Sequence, residues 1–458
     1  MNRLAALLLL LVAACATPPP YERPPVELPA AWKQSAPRFA EDGRWWRIYQ
    51  DISLEQLIEE ALAGNADLLV AAARVDEARA LVGEARAAQA PRVDARADVT
   101  RQQNSERTAV SPPGAPREYA NYRATLDVSY EVDVWGRLSA GAAAARAELT
   151  ASEASREAVR IALAAQVAKS YFALRALVEQ VELTRTTVAL REDALGLQRK
   201  RFAAGVISQF DLRQLEAETA VVRAQLPPLE REREREAIAL SVLLGRPAAD
   251  IFQKEILLEK KEQGLLAPVL PSGMPSELLL RRPDLVEAER RLAAANARVA
   301  VARSEIFPSI SLTGALGTES QQLGNLFTGP AGIWALGASL TQPIFSGGRF
   351  GARTAAAEAR ERAALAQYLQ AIRNAFGEVR TALAVQARSL ESHQAESLRE
   401  AALTESLRLA RLRYASGVAS QIDVIDAERG LLAARVARIE ALRAHRAAIA
   451  DLFRALGG

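Results

Sequence analysis

Cysteine, histidine and grouped carboxylates are the side chains in which chemistry would first be sought, and this chain spreads them thinly. Its 458 residues include one cysteine, Cys15, and two histidines, His393 and His445. A single thiol forms no intramolecular disulfide. Two distant histidines without acidic neighbours at ligand spacing form no zinc site, so both read as ordinary helix residues. There is no Ser/His/Asp order and no phosphate-binding loop; the glycine-rich SGGRFG at Ser346–Gly351 reads as a strand-to-helix boundary. The run ERERERE, Glu230–Glu236, sets opposite charges three residues apart and reads as a solvated helix face. The expectation is a protein that is not an enzyme, with neither cofactor nor metal. With 58 Lys+Arg against 55 Asp+Glu and a formal net charge of +3, no overall field favours nucleic acid.

Cys15 has a chemistry of its own. Arg3 precedes an apolar run, Leu4–Ala14, that falls short of the roughly 20 residues of a membrane-spanning helix and reads as an export signal over residues 1–14. VAAC, Val12–Cys15, resembles the lipobox of bacterial lipoproteins, which implies a covalent lipid on Cys15; Ala16, in place of an aspartate, implies delivery to the outer membrane. An ordinary signal peptide with an incidental cysteine is the alternative. Acyl chains hold a protein at a bilayer by burying methylenes. The proline-rich TPPPYERPPVELPAAW that follows fixes φ and removes backbone donors, so residues 15–50 read as a lipidated, extended strap or linker.

The elements beyond it occur twice. RFAAGVISQFDL at Arg201–Leu212 aligns with RYASGVASQIDV at Arg413–Val424, a displacement of 212 with seven of twelve residues identical. Gly136-Arg137 maps onto Gly348-Arg349 at the same displacement, and Pro91 onto Pro308 at 217. Such self-similarity repeats one supersecondary arrangement, here helix, strand, loop, strand and long helical hairpin. The first repeat spans residues 51–244 and the second 281–458, with a connecting region at 245–280. The opening helix is carried by Leu54, Leu57, Ile58, Ala61, Leu62, Leu68, Ala72 and Val75 at three- and four-residue spacing, and Pro91 closes it.

Strands are expected at about 91–103, 119–135, 308–318 and 332–345. In the first, Val93, Ala95, Ala97 and Val99 alternate with Arg92, Asp94, Arg96 and Asp98; in the second, Leu126, Val128 and Tyr130 alternate with Asp127, Ser129 and Glu131. The third and fourth alternate in the same way with fewer charges. One face packed on a soluble core and one face against lipid fit equally well, and the adjoining Tyr119, Tyr122, Phe327 and Trp334 suit interfacial girdles. Four strands fall short of the roughly eight of a small outer-membrane barrel, so a lipid-facing reading requires two or three chains to close the sheet.

The hairpins supply an independent constraint. Residues 137–201 and 348–413 contain no proline, and Leu163, Val167, Ser170, Leu174, Leu177, Val181, Thr184 and Val188 follow coiled-coil spacing, as do Leu365, Leu369, Ile372, Phe376, Val379 and Leu383. A continuous helix there reaches about 100 Å, with Gly196 and Gly377 as possible breaks. Gly205 and Gly417 mark the hairpin turns. Ser208 and Ser420 can cap the returning helices, with Asp211 and Asp423 at the third helical position.

Several segments in their order resemble the outer membrane factor family, the exit ducts of bacterial tripartite efflux pumps, and in particular its lipoprotein branch that works with RND transporters. They are YERP at Tyr21–Pro24, WWRIYQD from Trp45, PSGMPSELLLRRPDLVEAERRLAAANARVAVARSEIFPSISLTG from Pro271, and the paired R(F/Y)A(A/S)GV turns. The resemblance covers almost the whole mature chain. It implies a mixed α and β fold in which each protomer of a homotrimer lends four strands to a twelve-stranded outer-membrane barrel, while the hairpins build an α-helical barrel through the periplasm. It implies outer-membrane lipid, a periplasmic adaptor (membrane fusion) protein and an inner-membrane RND transporter as partners, and passive passage of small toxic compounds. Tyr414, Asp423, Asp426 and Arg429 match the region in which relatives close the periplasmic gate, with Asp211 as the weaker first-repeat counterpart. Asp423, Asp426 and Arg429 share a helix face at three-residue spacing. Plain capping by Asp211 and Asp423, and a turn covered by Tyr414, are the competing local readings. A type I protein-secretion duct and a soluble periplasmic coiled-coil scaffold are the functional alternatives.

Overall fold

The computed structural model describes residues 21–25, 43–105, 117–253 and 282–458. The signal run, Cys15 and most of the connecting region at 245–280 lie outside them. Two long helical hairpins and one sheet account for most of the described chain. A 3-10 turn at Trp45–Tyr49 leads to α1 (Ile52–Gly64), α2 (Ala66–Ala87), β1 (Arg92–Gln103) and β2 (Glu118–Val132). The first hairpin follows as α3 (Arg137–Ala203) and α4 (Gln209–Leu243), and α5 (Ala248–Gln253) is short. Then come α6 (Pro283–Ser304), β3 (Ser309–Ser320), β4 (Gly332–Thr341) and the second hairpin, α7 (Arg349–Ala415) and α8 (Gln421–Leu456). Contacts divide the described residues into two compact units, one drawn from 21–25, 74–105, 117–153 and 287–369, the other from 43–73, 154–253, 282–286 and 370–458.

The first unit holds an antiparallel sheet in the order β1-β2-β3-β4. Its central pairing, β2 with β3, joins the two repeats. The strands stop where side chains make them stop. β2 was expected to run to residue 135, but Asp133 turns away and its carboxylate accepts from the N–H groups of Leu138 (2.9 Å) and Ser139 (2.7 Å), capping α3, while Gly136 takes φ 73°. β4, expected to reach residue 345, ends at Thr341 ahead of Pro343, which has no N–H for a ladder. Beside the sheet, the Trp135 indole N–H donates to the Pro308 carbonyl at 2.6 Å and the ring stacks on Phe307. In the Tyr21–Pro25 segment Arg23 pairs with Glu289 of α6, and burial pushes the Tyr21 phenol up to about 12.

In the second unit the hydrophobic core gathers Trp45, Leu54, Ile58, Tyr171, Phe172, Leu240, Leu244 and Phe453. Each fully buried large apolar side chain contributes about 1.5–3 kcal/mol. Trp45 stacks on Phe453 with ring centroids 5.2 Å apart. Asp51 caps α1 and also accepts from the Tyr171 hydroxyl (2.7 Å) and Arg175 (3.1 Å), so one carboxylate ties the 3-10 turn to α3. The apolar pattern of residues 52–87 looks like one helix but forms two. Asn65 is the reason: its Oδ1 caps α2 and its Nδ2 donates to the Leu243 carbonyl at 2.9 Å. At this join Gly245, at φ 72°, lies so close to Gly64 that a Cβ would fall 2.1 Å from the Gly64 carbonyl oxygen. Arg282 is the corresponding node of the second repeat. Its buried guanidinium reaches the Ala455 carbonyl, Asp284 and Glu378, fixing the start of α6 against α7 and the end of α8.

The helices α3 and α7 each run 67 residues, about 100 Å at 1.5 Å per residue, and Gly196 and Gly377 break neither. The coiled-coil positions point inward: Leu163, Val167, Leu174 and Val181 of α3 and Ile372, Val379 and Leu383 of α7 are buried. One stretch of α3 is apolar and long enough to cross a membrane, although no such stretch is apparent from uninterrupted apolar residues, and most of it is buried in the protein. α4 continues through Pro227-Pro228, where two ladder N–H groups are missing, whereas α8 has no proline.

Candidate functional site

The site has two parts, and each belongs to one unit. The first is the sheet. Its register sets Val93, Ala95, Ala97 and Val99 opposite Val128, Leu126, Ala124 and Tyr122, then Leu126, Val128 and Tyr130 opposite Leu316, Gly314 and Leu312, and these opposite Trp334, Leu336 and Ala338. Four separate alternations thus fall into phase on one face, because a period of two in each strand and antiparallel pairing conserve facing. That face is uncovered: Trp334 is 76% and Leu336 81% exposed. Soluble monomers rarely expose a contiguous apolar face, and such a face marks a surface that meets lipid or another protein. The opposite face carries Arg92, Asp94, Arg96, Asp98, Arg123 and Asp127, and among the described residues β1 and β4 are unpaired edges.

The second part lies in the other unit, at the hairpin turns. Gly205 and Gly417 take φ 72° and 74°, which lets each helix end with a six-to-one bond, Val206 N–H to the Arg201 carbonyl and Val418 N–H to the Arg413 carbonyl. Both returning helices open with a capping box. Ser208 with Asp211 and Ser420 with Asp423 exchange hydroxyl and carboxylate bonds, so both aspartates perform the capping role that their spacing suggests. Hydrogen bonds from the Ser420 N–H and hydroxyl hold the Asp423 carboxyl below the usual carboxylate range, and Arg413 adds to it. Tyr414 packs beside Leu403, Leu407, Val424 and Leu431, and its hydroxyl accepts from Arg201 of the first hairpin at 3.3 Å. Arg429 lies 3.6 Å from Asp426 and makes an ion pair with Glu218 of α4, which also holds Arg191 at 3.5 Å.

Thus Asp426 and Arg429 come together, Tyr414 joins the two hairpins, and Asp211 and Asp423 each serve their own turn. Glu218, Arg191 and Arg201 were not anticipated. A signal existed: 212 positions on, Glu218 becomes Gly430, and 212 positions back, Arg429 becomes Ala217. The two charges are complementary departures from the repeat. Val206, Phe210 and Val418 are exposed beside them. Elsewhere in this unit His445 is buried, with Nδ1 3.1 Å from the Ser389 hydroxyl, and Nε2 meets no hydrogen-bond partner. Among the described residues no three of His, Cys, Asp and Glu gather as a metal site.

An open sheet with one continuous apolar face and two unpaired edges, in a chain that also builds two 67-residue helices, defines the subunit class of an outer-membrane channel. A model of the outer membrane efflux protein family matches residues 57–246 and 274–458. The probable outer membrane lipoprotein SilC of Salmonella typhimurium is 34% identical over 447 residues, covering 96% of this chain and 94% of its own. The outer membrane protein OprJ of Pseudomonas aeruginosa is 34% identical over 443 residues, covering 96% and 91%. The crystal structure of the open state of the MtrE outer membrane channel of Neisseria gonorrhoeae superposes with a TM-score of 0.84 at 33% identity over 97% of this chain and 98% of that one. The chain belongs to the outer membrane efflux protein family, whose members are transport channels of the outer membrane.

Proposed function

We propose that three copies of this chain close their sheets edge to edge into a twelve-stranded barrel, and that their hairpins line a tunnel through which an inner-membrane RND transporter, joined by a periplasmic adaptor protein, expels small toxic compounds. The in-phase apolar face with two free edges carries the reading. Backbone donors and acceptors left unpaired in lipid cost several kcal/mol each, and only closure removes them. The chain acts as a passive duct rather than a catalyst. A lipid on Cys15 holds the N-terminus at the bilayer, a reading in keeping with the lipoprotein named among its relatives.

The gate lies at the hairpin tips. Tyr414 with Arg201, and Arg429 with Glu218, tie one hairpin to the other, and a docked adaptor exchanges these ties for its own contacts, using the exposed Val206, Phe210 and Val418. Asp426, with its copies in the trimer, adds acidic charge that favours cations at this constriction. Complementation tests the function. Expression with the neighbouring adaptor and pump restores drug resistance in a strain lacking its own efflux duct; restoration of toxin secretion alone assigns the protein-export role instead, and extraction without detergent as a monomer rejects the duct.

A further inference from the structure

The polar face of the sheet is charged in a pattern that the duct reading does not require. Along β1 it presents Arg92, Asp94, Arg96 and Asp98, and along β2 Arg123 and Asp127, set by register as Arg92 opposite Ser129, Asp94 opposite Asp127, Arg96 opposite Thr125 and Asp98 opposite Arg123. These six charges, three of each sign, line one concave space of about 920 Å³ with Thr125, Ser129, Thr313 and Gly337. Arg92 meets Asp94 at 2.8 Å, Arg96 meets Asp98 at 4.0 Å, and Arg123 meets Glu319 at 3.9 Å. At the β2 end Glu131 is matched by Arg137. On the same face β3 adds the carboxylate Glu319 and β4 adds Ile333, and the remaining positions of these two strands on it are Ser, Thr, Ala and Gly.

Stability does not account for this ladder. The Arg92 and Arg96 side chains are 76% and 67% exposed, and ion pairs so solvated contribute about 0–1 kcal/mol. Asp94 directly opposite Asp127 is locally unfavourable. The spacing instead bears on the field. Successive charges on one face of a strand are about 6.8 Å apart, less than the Debye length of about 8 Å at physiological ionic strength. Opposite signs at that separation cancel before a solute a Debye length away can sense either, whereas a wall of one sign would focus its field and turn away solutes of like charge.

We propose that the Arg92-Asp94-Arg96-Asp98 and Arg123-Asp127 ladder is an alternating, nearly balanced lining, one negative charge in excess per chain once Glu319 is counted, that makes the sheet end of the passage nearly indifferent to the sign of its cargo. Amphiphilic cations, anions and zwitterions then share one barrel, and any charge discrimination falls to the hairpin tips. The inference rests on the duct reading and adds its solute class.

The test uses the full-length protein in planar bilayers under a potassium chloride gradient. Replacing the arginines (R92Q, R96Q and R123Q together) raises the potassium-to-chloride permeability ratio several-fold over wild type, and replacing the aspartates (D94N, D98N and D127N together) lowers it by a similar factor. Conducting variants whose ratios stay at the wild-type value, or move in the same direction, overturn the proposal. A wild-type protein that never conducts removes the duct and the ladder's role with it. Ser129→Cys, which keeps every charge, gives a reading independent of how the multiple variants assemble. Cationic and anionic methanethiosulfonate reagents of equal size modify it at similar rates, and rates differing by an order of magnitude overturn the balanced lining.

Discussion

Removing the ties between the hairpins should loosen the tip by an amount that the structure allows to be worked out. Glu218 is the wrong residue to remove, because Arg191, whose side chain is 10% exposed, would lose its carboxylate inside the protein and cost folding energy. Arg429→Ala leaves Glu218 with Arg191, and Tyr414→Phe removes one hydroxyl while keeping the ring in its apolar contacts. Arg429 is 59% exposed, so its ion pair is discounted for solvent to about 0.5 kcal/mol, and the 3.3 Å bond from Arg201 to Tyr414 is given a similar value. The double variant then loses about 1 kcal/mol per protomer and about 3 kcal/mol over three protomers opening together, roughly 150-fold in the ratio of open to closed tips. Planar-bilayer conductance of the purified protein, with vancomycin sensitivity of the expressing cells, reads this out. Each single variant should show about half the effect on a logarithmic scale. Conductance and sensitivity unchanged in the double variant would refute the assignment of these contacts as restraints on the tip.

Three further outcomes follow from the packing. Gly245→Ala places a methyl 2.1 Å from the Gly64 carbonyl oxygen at φ 72° and should lower the thermal midpoint of the purified protein by the equivalent of about 3 kcal/mol, while Gly205→Ala, at the same φ with open space around it, should cost only about 1–2 kcal/mol. Arg282→Met leaves Glu378 and the Ala455 carbonyl without their buried donor and should cost about 3 kcal/mol in a denaturant titration; Arg282→Lys should recover part of it. Burial, with His393 nearby, lowers the pKa of His445 below its ordinary value of about 6.5, so the unfolded chain binds more protons on acidification. Stability is therefore full above about pH 6.5 and declines as the pH falls toward the depressed folded value, and His445→Gln should flatten that slope in melting curves taken from pH 7.5 to 5.

The features legible in the sequence were those written in local patterns. Alternation located the strands, proline-free heptads located the long helices, and duplicated glycines and serines located turns and caps, because facing, coil packing and capping depend on residues within a few positions of one another. The features that stayed hidden depend on distant partners. Nothing local to β2 indicates that its second neighbour is β3 of the other repeat. Asn65 looks like a polar residue on a helix until Leu243 is beside it. His445 reads only as an ordinary residue of a helix, and nothing beside it in the sequence indicates that it is buried against Ser389. In the gate region, repetition drew attention to the residues the repeats share, Asp211 and Asp423, whereas one of the two ties between hairpins comes from residues present in one copy only, Glu218 and Arg429.

The central claim is that the uncovered apolar face is the outer wall of a shared barrel. A single-particle structure of the full-length protein in lipid nanodiscs tests it most directly. The account predicts three copies around one axis, with β4 of each hydrogen-bonded to β1 of the next, Leu316, Trp334 and Leu336 against acyl chains, and an open path along the axis. A single copy with its sheet folded over an enclosed core, or a sheet lying outside the bilayer, would contradict it.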